Sequence, residues 1–298
     1  MITNKIRTTG SACNSPEDIF SSALSVIFPD DIINQHGDNS CSIIYESDKY
    51  GDIVLSLADV KNENIHLFSQ FVWNAAVQLA IFMECAGSEN EDGRDQEINW
   101  QVQGERVLEL GAGAGLAGIM ASIIGAEYTV ITDFPAEEIL ANIKLNILRN
   151  FKSRASLVSR DRDLASIIVV QAHKWGITDD SFSLIQKGTF TRVIVCDCLW
   201  MSSQHEELQK SIAWFLASNG LAWIVAGFHT GRKKIGRFFD QSSLRHAGLV
   251  VEKIWERSAD GLEREWVIDR GQEDITELKR WLVIAVLRKD EQRGDDIG

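Results

Sequence analysis

No apolar run among the 298 residues approaches the ~20 needed to cross a bilayer, so no membrane-spanning helix is expected. The opening MITNKIRTTGSACNSPED lacks the apolar stretch of a secretion signal, and Glu17 and Asp18 beside Lys5 and Arg7 make it a poor import peptide. The five cysteines, Cys13, Cys41, Cys85, Cys196 and Cys198, are odd in number and contain no CxxC pair. That pattern excludes a disulfide scaffold, gives no metal site, and points to reduced thiols in a cytoplasmic setting. Positive charge is in deficit: 30 basic against 43 acidic residues leave a net charge of −13. Non-specific nucleic-acid binding needs Lys and Arg against phosphates, and this balance argues against it. A basic partner would suit the charge better. Internal repeats and low-complexity tracts are absent as well.

What remains is an ordinary globular composition, 45% hydrophobic and 24% charged, able to bury a sizeable core. The length suits one α/β domain, residues 100–298, behind an N-terminal extension, residues 1–99. In the extension, Ser15 caps a short expected helix, and CSIIYES and DIVLSLAD predict a hairpin turning near Tyr50-Gly51. HLFSQFVWNAAVQLAIFMEC, 66–85, has apolar residues recurring every three and four positions and predicts a helix; a polar loop, 87–99, follows. From residue 106, apolar runs at 106–110, 128–133, 166–172, 192–200 and 221–228 predict strands buried on both faces. Helices are expected between them at 115–124, 136–150, 205–218 and 232–246, and two last strands at 249–258 and 281–289. Such alternation means a doubly wound α/β sheet.

The most informative segment is VLELGAGAGLAGIMASIIGAEYTVITD. A buried strand runs into Gly111-Ala112-Gly113-Ala114-Gly115, where small residues permit close backbone approach and a helix N-terminus follows. The next strand ends in Asp133, where a carboxylate can accept both hydroxyls of a ribose. The spacing GxGxG differs from the GxGxxG of dinucleotide sites. Glu109, ending the strand, would repel a pyrophosphate and suit a ligand carrying an ammonium group.

ELGAGA resembles the first motif of class I S-adenosylmethionine-dependent methyltransferases. More widely, residues 66–289 resemble the seven-strand lysine methyltransferases called methyltransferase family 16, nearest its fungal branch of nicotinamide N-methyltransferase-like and elongation-factor methyltransferases. The resemblance is carried by Trp73-Asn74 opening a helix, VLELGAGAGLAG, Asp133 with the spaced Asn142 and Asn146, and Trp175-Gly176. VIVCDCLW with Asp197, then His205, and the segment holding His229 complete it. It implies a Rossmann-like seven-stranded sheet whose last strand is antiparallel, and S-adenosyl-L-methionine as cofactor. The cofactor would be held by Trp73, Glu109, Gly111, Ala112, Gly113, Asp133, Trp175 and Cys196.

Asp197 is the catalytic candidate, placed to orient an incoming amine or its proton; His205 and His229 are weaker candidates. Departures fall on the acceptor side. Cys196 stands where the elongation-factor branch tends to have Ser, Met201-Ser202 replace Asn-His, and Ala117 replaces a proline of the glycine motif. With proline only at positions 16, 29 and 135, there is no [DNS]PP[YFW] motif of DNA-adenine or glutamine methyltransferases. The expected activity is N-methylation of a protein lysine or N-terminal amine. Methylation of a small molecule on N or O, and an idle cofactor-binding interaction protein, stand as alternatives.

Overall fold

The computed structural model describes residues 2–9, 34–37, 42–60, 64, 67–87, 98–152, 154 and 164–290. The helix expected after Ser15 and most of the 87–99 loop lie outside these residues.

The N-terminal section contains β1 (Ile6–Thr9), β2 (Gln35–His36), β3 (Ser42–Tyr45), β4 (Ile53–Leu55) and β5 (Val72–Trp73), followed by α1 (Asn74–Cys85). The expected hairpin is β3–β4, and β1 joins it as a third antiparallel strand. Its inward residues Ile43, Tyr45, Ile53 and Leu55 are fully buried and share one apolar cluster with Val77, Leu79 and Met83 of α1. The helix expected from residue 66 begins eight residues later, at Asn74. Before it, Phe68 takes a left-handed φ of 53°, and Val72–Trp73 pair with Gln35–His36, both incompatible with continuing the helix upstream.

The main sheet is built from β6 (Arg106–Leu110), β7 (Tyr128–Asp133), β8 (Ile168–Ala172), β9 (Phe190–Cys196), β10 (Leu216–Gly227), β11 (Leu249–Ser258), β12 (Glu263–Glu265) and β13 (Trp281–Lys289). Its spatial order is β12-β11-β13-β10-β9-β6-β7-β8. β13 runs antiparallel between β10 and β11, as the resemblance implies. β12, a short charged strand hydrogen-bonded to β11, is an eighth strand beyond the expected seven. Helices α2 (Leu116–Ile124), α3 (Glu137–Lys152), α4 (Ser181–Ile185), α5 (His205–Phe215), α6 (Arg232–Gly236), α7 (Gln241–Ala247) and α8 (Ile275–Lys279) complete the domain. The expected helix 232–246 is broken because Asp240 leaves helical geometry and accepts the N–H of Ser243 as the cap of α7.

Both faces of the central strands β6, β7 and β9 and of the second half of β10 are dry. Val107, Ile131, Ile194 and Val225 belong to one buried cluster, and Leu108, Val130, Val193 and Ile224 to the other. Burial of this kind contributes roughly 25 cal/mol per Å² and accounts for the continuous apolar runs. The chain leaves β6 toward β7 and β8 on one side, then returns to lay β9 and β10 on the other. The carboxyl ends of β6 and β9 therefore flank the place where strand order reverses, where open α/β sheets bind ligands.

The N-terminal sheet is also fastened by amide groups. Asn142, Asn146 and Asn150 lie four residues apart on one face of α3. The Asn150 side chain accepts from Val54 N at 2.9 Å and donates to Val54 O at 2.8 Å. Asn146 does the same for Ser56, at 2.8 and 2.9 Å, and also donates to Ala114 O in the glycine turn at 3.0 Å. These amides imitate a strand partner along β4, and they tie the extension to the turn after β6.

Candidate active site

The turn after β6 needs glycine for geometric reasons. Gly111, Gly113 and Gly115 have φ of 68°, 58° and 82°. A Cβ at Gly111 would lie 2.6 Å from Cys198 Sγ and 2.9 Å from a ring carbon of Trp175. Four N–H groups of the turn and the helix after it are already committed. Ala112 N donates to Thr132 O at 3.0 Å, and Gly115 N to Ala112 O at 2.9 Å. Gly113 N donates to Asp133 Oδ2 at 2.7 Å and Gly118 N to Glu109 Oε2 at 2.8 Å. Two carboxylates thus occupy donors that a dinucleotide site would present to a pyrophosphate.

Asp133 lines the cavity, and its Oδ1 accepts a second backbone bond, from Phe134 N at 2.7 Å. Burial pushes its carboxyl up to about 6, against the opposing pull of the two N–H donors. Two accepted bonds leave lone pairs for further donors such as ribose hydroxyls. Glu109 sits differently from expectation. It is 1% exposed, lies beneath the turn and is not among the cavity-lining residues. Its carboxyl is pushed up to about 8 by burial, opposed by the Gly118 bond, so a charge repelling phosphate is not what it contributes. Its Oε1 has no hydrogen-bond partner.

The cavity has a volume of about 250 Å³. Gly111, Ala112, Gly113, Asp133 and Trp175 line its β6–β7 side. Trp175 stands on a loop fixed to α5: Gly176 N donates to Ser211 Oγ at 2.8 Å, and His173 Nε2 meets the same oxygen at 3.0 Å. His173 is pushed down to about 4 by burial, so it is neutral there. The roof comes from the segment read as helix. Trp73 donates its indole N–H to Phe68 O at 3.1 Å and meets Phe68 and Phe71 edge-on. All three rings line the cavity, with Trp200 packed on Phe68 at 5.1 Å. Phe68, Phe71 and Trp200 escaped sequence reasoning because their spacing reads as a helix face or a strand end.

Cys196, Asp197 and Cys198 line the β9 side. The strand ends at Cys196, so the two cysteines do not share a strand as expected; Asp197 turns the chain with a left-handed φ of 56°. Burial pushes both thiols up, away from the thiolate form. The Asp197 Oδ1 accepts from Gly227 N at 3.0 Å and meets His229 Nε2 at 2.9 Å. His205, in contrast, is held at the start of α5 by Leu199 O at 2.8 Å and is not among the cavity-lining residues. Among the described residues no three His, Cys, Asp or Glu side chains gather as metal ligands, and no helix is long and apolar enough to cross a membrane.

Comparison with known proteins adds to this geometry. Residues 52–244 match the family model described as lysine methyltransferase. A protein N-terminal and lysine N-methyltransferase of Yarrowia lipolytica is 29% identical over 202 residues, 64% of this chain and 68% of the relative. A protein of the same name from Schizosaccharomyces pombe is 26% identical over 219 residues, 70% of this chain and 74% of the relative. Among solved structures, a TehB-like SAM-dependent methyltransferase from Corynebacterium glutamicum aligns with a TM-score of 0.43 at 18% identity, covering 63% of this chain and 81% of that one.

Proposed function

The chain belongs to the lysine methyltransferase family, and on that basis we propose that it methylates a protein amine, a lysine side chain or an N-terminus. It is an S-adenosylmethionine-dependent methyltransferase. Its residues fit that cofactor, which has a nucleoside and an amino-acid end but no phosphate. Two of the donors a phosphate could use, Gly113 N and Gly118 N, are taken by Asp133 and Glu109, while Asp133 keeps acceptor capacity toward a ribose. This is the observation that carries the reading.

The residues would divide the work as follows. Asp133 would hold the ribose hydroxyls, Trp175 would lie along the adenine, and Gly111, Ala112 and Gly113 would let the turn approach the ligand. Trp73 and Cys196 would complete the walls, and Glu109 would set the turn from below by holding Gly118 N. When bound, S-adenosylmethionine supplies a methyl group already activated on a sulfonium. Catalysis by the chain is then mostly positioning, exclusion of water and presentation of an uncharged amine. Asp197, carrying its carboxylate at the β9 end of the cavity, would draw in the ammonium and orient it.

The relatives named above are methyltransferases of protein N-termini and lysines, and this supports a protein acceptor. The test is incubation with labelled S-adenosylmethionine, the proteins of a fungal lysate and a panel of small amines. Label in protein, on lysine or α-amino nitrogen, is expected. Label confined to small molecules would overturn the protein acceptor.

A further inference from the structure

We propose that Phe68, Trp73 and Trp200, with Asp197 beside them, form a slot that receives the acceptor as a cation. The N-terminal section and the β9–α5 connection then each supply part of acceptor recognition. The proposal rests on the acceptor being an amine, as above, and adds the residues that select it.

The roof segment divides its contacts between the two sides of the cavity. Its middle lies over the glycine turn: Ser69 Cα and the carbonyl oxygens of Ser69 and Phe71 stand 3.9 Å from where a Cβ of Gly113 would be. Its ends turn the other way. The Trp73 ring packs at 4.8 Å against His229, the residue that meets Asp197. The Phe68 ring packs at 5.1 Å against Trp200, three residues beyond Asp197. Phe68 stands nearly at right angles to both tryptophans, at 85° to Trp73 and 87° to Trp200, which makes a corner and not a stack. The three rings and Asp197 all line the cavity.

Two features separate this cluster from ordinary packing. Phe68 is 41% exposed, so its neighbours leave much of the ring uncovered. Its backbone takes a left-handed φ of 53°, disfavoured for a residue with a Cβ, and the Trp73 indole N–H fastens it by donating to Phe68 O at 3.1 Å.

The charges of the cavity wall fit a cation at this end. Its charged lining residues are Asp133, Lys174 and Asp197. Asp133 is held at the glycine turn by Gly113 N, and Lys174 follows β8, the last strand on that side of the sheet. Asp197 follows β9, and its Oδ1 engages both Gly227 N and His229, leaving Oδ2 outside those contacts. Aromatic faces carry the negative part of the ring quadrupole, so they attract a cation without requiring a hydrogen bond from it. The Asp197 carboxylate adds a counter-charge. An uncharged group of the same shape would gain burial alone.

The test uses two probes: Nα-acetyl-Nε-trimethyllysine methylamide and its uncharged isostere, with carbon in place of the quaternary nitrogen. Each is titrated by NMR onto the full chain saturated with S-adenosylhomocysteine, the demethylated cofactor. The wild type should bind the cation about tenfold more tightly than the isostere, within the range of desolvated cation–π contacts. Phe68→Leu and Trp200→Leu, which keep apolar bulk, should each weaken the cation by about fivefold. The isostere and the demethylated cofactor should stay within about twofold. Trp200→Phe should retain most of the cation preference, and Asp197→Asn should narrow it without abolishing it. Equal binding of the two probes by the wild type, or binding of neither, would overturn the proposal. So would a preference that survives both leucine variants or vanishes in Asp197→Asn. Parallel loss of demethylated cofactor in the leucine variants would show a structural role and overturn it too. Label on an atom other than an amine nitrogen, in the lysate assay above, would remove the amine acceptor; the cation preference is read without methyl transfer and is decided separately.

Discussion

The two sides of the cavity use their carboxyl groups in opposite ways. On the β6–β7 side, Glu109 and Asp133 are buried, raised in pKa, and bonded to backbone N–H groups of the glycine turn and its neighbours. There the side chains shape a backbone surface. On the β9–β10 side, Asp197 meets an ionisable partner, His229, across 32 residues of sequence. A bond to backbone fixes shape, whereas a bond to imidazole fixes shape and couples to protonation. Binding should therefore fail when the first side is altered, and turnover when the second is.

The largest effect is expected at Gly111. Alanine there would combine a left-handed backbone, costing about 1–2 kcal/mol, with contacts to Cys198 and Trp175 that cost about 1–3 kcal/mol more. Calorimetry should show S-adenosylmethionine binding reduced by about 10²–10³-fold, within the range those costs span. Unchanged affinity would mean that the turn does not face the ligand.

Asp133→Ala should weaken the same binding by about 2–3 kcal/mol, the scale of charged hydrogen bonds, with turnover at saturating cofactor much less affected. An affinity within twofold of the wild type would remove Asp133 from the cofactor side. A smaller loss, about 1–3 kcal/mol in unfolding free energy, is expected for Asn146→Ala, which strands Ser56 N and frees Ala114 O while Asn142 still donates to Ser56 O. Denaturant unfolding would measure it, and a neutral result would show that the amide clamp on β4 contributes little.

The smallest effect is a pH dependence. Free Asp133 titrates near 6, raised by burial, and ribose hydroxyls donating to it favour the charged form. The bound pKa is then lower than the free one, so affinity is full above about pH 6 and falls as pH drops through that value. By pH 5 the loss should approach tenfold, and Asp133→Asn should flatten the profile.

How much of this was legible in the sequence follows the same division. β11 and β13 match the expected spans, 249–258 and 281–289, and β13 does so because a buried strand reads as an unbroken apolar run bounded by polar segments. The glycine-turn side of the cavity was legible because its parts are consecutive: strand, glycines, helix, strand, acid. The orientation of Glu109 was not, since an acid at a strand end can serve the ligand or the turn, and only the bond to Gly118 distinguishes them. β12 was missed because ERE carries no apolar alternation and forms only by pairing with β11. Residues 67–73 were misread since aromatic residues three apart suit a helix face and a pocket wall equally. The Asp197–His229 contact was hidden for a topological reason: it exists only because β9 and β10 are parallel neighbours whose ends coincide.

Asp197→Asn, assayed for both binding and turnover in one preparation, tests the division most directly. Asparagine keeps the size of the side chain and an acceptor for Gly227 N, and removes the charge facing His229 and the incoming ammonium. The account predicts turnover lower by about 10²-fold with S-adenosylmethionine affinity changed by less than tenfold, or 1.4 kcal/mol. Equal losses in affinity and turnover would contradict it, placing Asp197 with Glu109 and Asp133 as a support of the cofactor pocket.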